Sequence, residues 1–227
     1  MENSVPVAVK VLRITAQDFL QAANLTKKLS HPQIVRFYGL CSTEEPVYVI
    51  TELMKHGNLL DYFGGEGKSL KRPQLIDIAA QVASGMAYLE EKNVVQRNLK
   101  ARNIQVGEGM SCKVANFEPA RVMDEGIYMG QKEEKLSIKW IAPEAALYNR
   151  FSIKSDIWSF GVVLYEITTK SYGGPPYPGM TNFEVVTKTE QGYRMSPPPG
   201  CPEKFYDMML NCWQEDPKDR PTFEGAN

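Results

Sequence analysis

Gln96-Arg97-Asn98-Leu99-Lys100-Ala101-Arg102-Asn103 is followed, thirteen residues beyond Asn103, by Asn116-Phe117-Glu118-Pro119. Two short apolar runs, residues 104–106 and 113–115, lie between these polar stretches, the pattern of brief strands joined to loops. Amides recur at 96, 98, 103 and 116, and cations at 97, 100 and 102. Asparagine in a loop readily bonds its neighbouring backbone, so Asn103 and Asn116 read first as loop caps. Lys100 and Arg102 read as solvated loop cations, with an anion on the acceptor side as the other use of the same charges. Pro119 restricts Glu118 to extended backbone, which is expected to keep its carboxylate from adjusting toward a ligand.

Working outward, residues 5–12 are β-branched around Lys10 and read as a strand. Phe19, Ala22, Thr26 and Leu29 recur at helical spacing, which predicts a helix over 16–29 with one inward stripe. Residues 34–40 and 47–52 read as strands separated by a turn at 42–46. Beyond Lys55-His56-Gly57-Asn58 the texture becomes helical. Leu75, Ile78, Ala79, Val82, Met86 and Leu89 form one stripe of a long helix ending near Lys92-Asn93. Residues 155–168 are apolar on nearly every side, which places that helix at the centre of the larger part.

The 227 residues are 43% hydrophobic and 23% charged, an ordinary composition for a folded chain with a real core. Twenty-six basic and 27 acidic residues leave a formal charge of -1, which argues against nucleic acid or anionic lipid as partner. Cys41, Cys112, Cys201 and Cys212 are widely spaced, His31 and His56 are the two histidines, and neither a zinc site nor a disulfide framework is expected. His31 reads as a packed residue and His56 as a surface one. The start of the sequence has no apolar targeting core and no Gly after Met1, and the run around 157–167 is too short and polar to span a bilayer. A cytoplasmic protein without a direct membrane anchor is the expectation.

The order of motifs resembles the catalytic domain of a protein tyrosine kinase, of the Src-type cytoplasmic group. The resemblance is carried by Val7-Ala8-Val9-Lys10, Thr51-Glu52-Leu53-Met54, the stretches at 96–103 and 116–118, Lys139-Trp140-Ile141-Ala142-Pro143-Glu144, Ser155-Asp156-Ile157-Trp158-Ser159-Phe160-Gly161, Cys212-Trp213 and Arg220-Pro221. It implies an α+β, bilobal fold: an incomplete amino-terminal β lobe over 1–54 and a mainly helical carboxy-terminal lobe over 55–227. In that family the first polar stretch reads His-Arg-Asp with Asn five residues later, and the second reads Asp-Phe-Gly.

Site roles follow from the resemblance residue by residue. Lys10 stands where a lysine meets the nucleotide phosphates, Thr51 where a side chain gates the back of the pocket, and Asn98 where the catalytic Asp belongs. Arg97 and Arg102 flank that position. Asn103 and Asn116 stand at the metal-ligand positions, but a neutral amide is a weak ligand for Mg²⁺. The helix carboxylate that should steady the lysine falls at Ala22, so Lys10 is expected to lack an orienting anion. Gln96 replaces the family His and is expected to fit less well beneath Phe117. Glu118 replaces the glycine on which the turn pivots. No Gly-x-Gly-x-x-Gly hairpin precedes Lys10, and both ends of the domain read as truncated. Ser137 and Ile141 replace the Pro and Thr of the substrate platform. Glu144, Asp156 and Arg220 match structural residues of the large lobe, and Arg97 and Arg121 with Tyr128 resemble a phosphotyrosine pocket in a regulatory segment.

The resemblance therefore implies three readings. The leading one is a tyrosine-kinase-like pseudokinase domain that lacks phosphotransfer and binds signalling proteins, an active kinase among them, with no cofactor. The second is an ATP-dependent non-receptor tyrosine kinase of residual activity, using ATP and Mg²⁺. The third is a non-functional truncated fragment.

Overall fold

The computed structural model describes residues 5–12, 23–41, 46–123, 126–130, 136–169 and 175–225. Strands β1 (Val7–Leu12), β2 (Phe37–Cys41) and β3 (Val47–Glu52) form an antiparallel sheet in the order β1-β3-β2. Lys10 lies opposite Val49 and Ala8 opposite Thr51. Alternation across the pleat then sends Ala8, Lys10, Val49 and Thr51 to one face, where they line a cavity, and leaves Val7, Val9 and Val11 exposed on the other.

The predicted strand over 34–40 begins only at Phe37. Ile34 instead makes a parallel bridge to Val114, and Val35 N–H donates to the Val114 carbonyl at 2.9 Å, because the chain here is tied to the larger lobe before it enters the sheet. Half of the helix predicted over 16–29, Ala22 and Phe19 included, lies outside the described residues; residues 23–26 are helical, and Leu29 is buried.

The larger lobe is built on helix α2 (Arg72–Glu91) and helix α4 (Ile153–Thr169), preceded by the short helices α1 (Leu59–Gly64) and α3 (Pro143–Tyr148). Helix α4 is buried along most of its length and packs against α2 and against α6 (Glu203–Cys212), while α5 (Asn182–Glu190) lies near α3. Gly161 permits the α4–α6 approach: a Cβ there would stand 2.6 Å from Trp213 Nε1 and 2.8 Å from Cys212 Cβ. His31 stacks on Tyr88 with centroids 4.9 Å apart. His56 departs from its reading as a surface residue, since its side chain is only 18% exposed, its ring centroid lies 5.4 Å from that of Tyr62 and its Nδ1 lies 3.1 Å from Glu66. No helix among the described residues is long and apolar enough to cross a membrane.

Four two-residue or three-residue strands bring the polar stretches together. Strands β4 (Val94–Val95) and β7 (Arg121–Val122) pair antiparallel, as do β5 (Ile104–Val106) and β6 (Cys112–Val114). The segment 96–103 therefore runs from β4 to β5, and 115–120 runs back from β6 to β7. Both are pinned at both ends, side by side. Beyond them β8 (Tyr128–Met129) pairs with β9 (Arg150–Phe151) and places Tyr128 opposite Phe151.

Candidate functional site

The loop 96–103 is held from beneath by two carboxylates of helix α4. Asp156 accepts the backbone N–H of Gln96 at 2.7 Å and of Arg97 at 2.9 Å. Ten residues further along the helix, Glu166 accepts the Ala101 N–H and the Trp140 indole N–H, each at 2.9 Å. Burial pushes both carboxyls up to about 7, and these N–H donors pull the other way. Arg97 has a positive φ of 69°, a backbone state that non-glycine residues seldom hold without support, and the Asp156 bonds supply that support. Glu166 was not singled out from the sequence. Its signal was an acid inside the apolar run 157–167, which is costly to bury unless it is bonded.

Above the loop the amides form a second layer. Gln96 is fully buried; its Oε1 accepts the Asn98 N–H at 2.6 Å and its Nε2 donates to the carbonyls of Ala115 at 3.1 Å and Asn116 at 3.3 Å. The expectation of a poor fit at 96 is thereby corrected. An amide offers a donor and an acceptor at once, and both sides of the gap between the two stretches use them. Asn103 donates to the Asn98 carbonyl at 2.7 Å, and its own carbonyl accepts the Ala115 N–H at 2.9 Å. Asn98 faces outward, where its Oδ1 accepts the Ser137 hydroxyl at 3.0 Å, and Ser137 Oγ accepts from Lys100 Nζ at 2.8 Å. Lys100 also sits over the Trp140 ring at 5.6 Å, and burial lowers its pKa.

Lys10 departs from the expectation of an unoriented side chain. Its ammonium donates to Asn116 Oδ1 and, at 2.8 Å, to Glu118 Oε1, although Lys10 itself remains half exposed. The Glu118 carboxylate reaches across the cleft to the sheet from a turn that the Ala120 N–H closes on the Phe117 carbonyl at 3.0 Å. Asn116 adopts a φ of 64°, a left-handed state that Asn tolerates better than most residues. These groups border a cavity of about 430 Å³ whose walls include Ala8, Phe37, Val49, Thr51 and Met54, with Arg102 and Asn103 at its floor.

Two further clusters lie away from the cavity. Arg97 and Arg121 flank Tyr128, with guanidinium carbons 4.6 and 5.8 Å from the ring centroid, and Arg97 also covers Phe151 at 4.2 Å. Burial lowers the Arg97 pKa to about 10. Arg220, whose side chain is wholly buried, forms a two-pronged pair with Glu144 at 2.6 and 3.0 Å and donates to the carbonyls of Lys154 and Gln214. Among the described residues no cluster of three or more His, Cys, Asp or Glu side chains could hold a metal ion.

A β sheet set over a helical lobe, with a cleft where a strand lysine faces two loop motifs, defines a protein-kinase domain. The chain belongs to the protein tyrosine and serine/threonine kinase family, whose model matches residues 1–226. It is 53% identical over 222 residues to the tyrosine-protein kinase SRK3 of Spongilla lacustris, covering 96% of this chain and 66% of that protein. It is 54% identical over 225 residues to the tyrosine-protein kinase SRK2 of the same sponge, covering 98% of this chain and 62% of that protein. The chain thus spans somewhat under two thirds of the length of these relatives.

Proposed function

We propose that this domain is a tyrosine-kinase-like pseudokinase that does not transfer phosphate and acts in the cytoplasm by binding signalling proteins, an active kinase among them. The observation that carries this reading is the state of the two acid positions. Asn98 is bonded to Ser137, and Asn116 to Lys10, so the amides are engaged with the protein's own groups. An amide cannot accept the proton of an acceptor hydroxyl, and loss of a positioned base alone removes a factor of about 10²–10⁴ in rate. The metal positions fare no better: Asn103 is tied to the Asn98 backbone and Asn116 to Lys10, which leaves two neutral amides as a donor set ill suited to Mg²⁺.

The retained framework supports a binding role. Asp156, Glu166 and the Glu144–Arg220 pair keep the large lobe's loops in fixed positions, as a docking module requires. Tyr128 between Arg97 and Arg121 is proposed as a regulatory phosphorylation site, where an added phosphate would meet two guanidinium groups. Incubation with ATP, Mg²⁺ and a tyrosine peptide is expected to give no transfer above that of Lys10→Ala; transfer that disappears in Lys10→Ala overturns the proposal. That outcome would favour the second reading, a weak tyrosine kinase, for which the identity to two proteins named tyrosine-protein kinases speaks.

A further inference from the structure

The cation that meets Asn116 is the protein's own. The Lys10 ammonium sits on the Asn116 amide oxygen and the Glu118 carboxylate together, and these two acceptors are well matched to a single positive charge. A divalent ion entering the same place would be repelled by the ammonium and would find one carboxylate, already paired. Mg²⁺, which the family implies, does not fit these residues.

An anion fits them better. The charged side chains on the cavity wall are Lys10, Glu52, Arg102 and Glu118. Glu52 is already compensated, since Lys113 Nζ lies 2.8 Å from both of its oxygens and the Arg36 N–H donates to it at 2.6 Å. Lys10 and Arg102 are then balanced by Glu118 alone, an excess of one positive charge. Lys10 is half exposed while Glu118 is largely covered, so the pair is screened by solvent from the lysine side and a phosphate oxygen can reach the ammonium there. The apolar wall of Ala8, Val49 and Met54 beside these cations offers a surface for a flat ring, and the cavity volume lies in the range of small-molecule sites.

We infer that the cavity binds a nucleoside polyphosphate in its metal-free form, with Lys10 and Arg102 supplying the charge that a divalent ion supplies in catalytic members of the family. Mg²⁺ then opposes binding, because it complexes the phosphates that the two side chains would grip. The inference rests on the non-catalytic reading of the site and adds a ligand to it.

Calorimetric titration of the chain with ATP, in EDTA and in excess Mg²⁺ at matched ionic strength, tests it. Binding is expected in EDTA and about tenfold weaker in Mg²⁺, the worth of one charge-assisted hydrogen bond. Lys10→Ala should weaken metal-free binding by about 10- to 100-fold on the same basis, and Glu118→Gln should strengthen it by releasing Lys10. Asn116→Asp should reverse the sign of the metal effect. Tighter binding in Mg²⁺, or none under either condition, overturns the inference. Phosphate transfer to a peptide, followed in the same samples, separates the two claims: metal-dependent binding without transfer removes this inference alone, whereas binding with transfer removes the non-catalytic reading as well.

Discussion

The loop 96–103 has an inner side and a cleft side, and the two have different chemistry. On the inner side, buried carboxylates at 156 and 166 hold backbone N–H groups at 2.7–2.9 Å. On the cleft side the ionisable acids are replaced by amides at 98 and 116, and the one new acid, Glu118, is taken by a half-exposed lysine. The difference teaches that the kinase framework and the kinase reaction depend on separate sets of charges. Removing the inner acids would leave buried N–H donors unsatisfied, a cost to folding. Replacing the outer ones costs folding little, because amides still find partners there.

Stability measurements can break that contrast. The largest effect is expected at the base of the large lobe: Glu144→Ala strands the buried Arg220 charge and should cost about 3–5 kcal/mol in a denaturant titration. A loss below about 1 kcal/mol would mean that the surrounding carbonyls suffice for Arg220. Next comes the amide layer. Gln96→Ala removes the acceptor of the Asn98 N–H and a donor to two carbonyls inside the protein, for about 1–3 kcal/mol, read as a lowered unfolding midpoint. The smallest effect belongs to the cleft. Glu118→Gln and Lys10→Ala should each change stability by less than about 1 kcal/mol, the usual worth of a pair open to water. If either cleft variant lowered stability as much as Gln96→Ala, the two sides would not be separable.

Much of this was legible in the sequence. The helical stripe from Leu75 to Leu89 and the apolar run at 155–168 became α2 and α4 within a few residues, because burial on one face or all faces imposes its period directly. The strand around Lys10 was equally plain. The start of β2 was not, since Ile34 has the side chain of a strand residue but its partner, Val114, lies far along the chain. In the site, the losses at 98, 116 and 22 could be read from residue type alone. What replaced them could not. Gln96 looked like a misfit, Glu118 like an acid kept from adjusting toward a ligand, and Glu166 was not singled out.

Sequence alone therefore determined the family, the lobe plan and which acids are missing, since these are matters of residue identity and local periodicity. Only the tertiary structure decided where the remaining polar groups go. Lys10 and Glu118 are more than a hundred residues apart, and Gln96 bridges loops joined through separate strand pairs. A hydrogen bond between distant segments depends on distances of a few tenths of an ångström that packing sets, and no spacing along the chain records them.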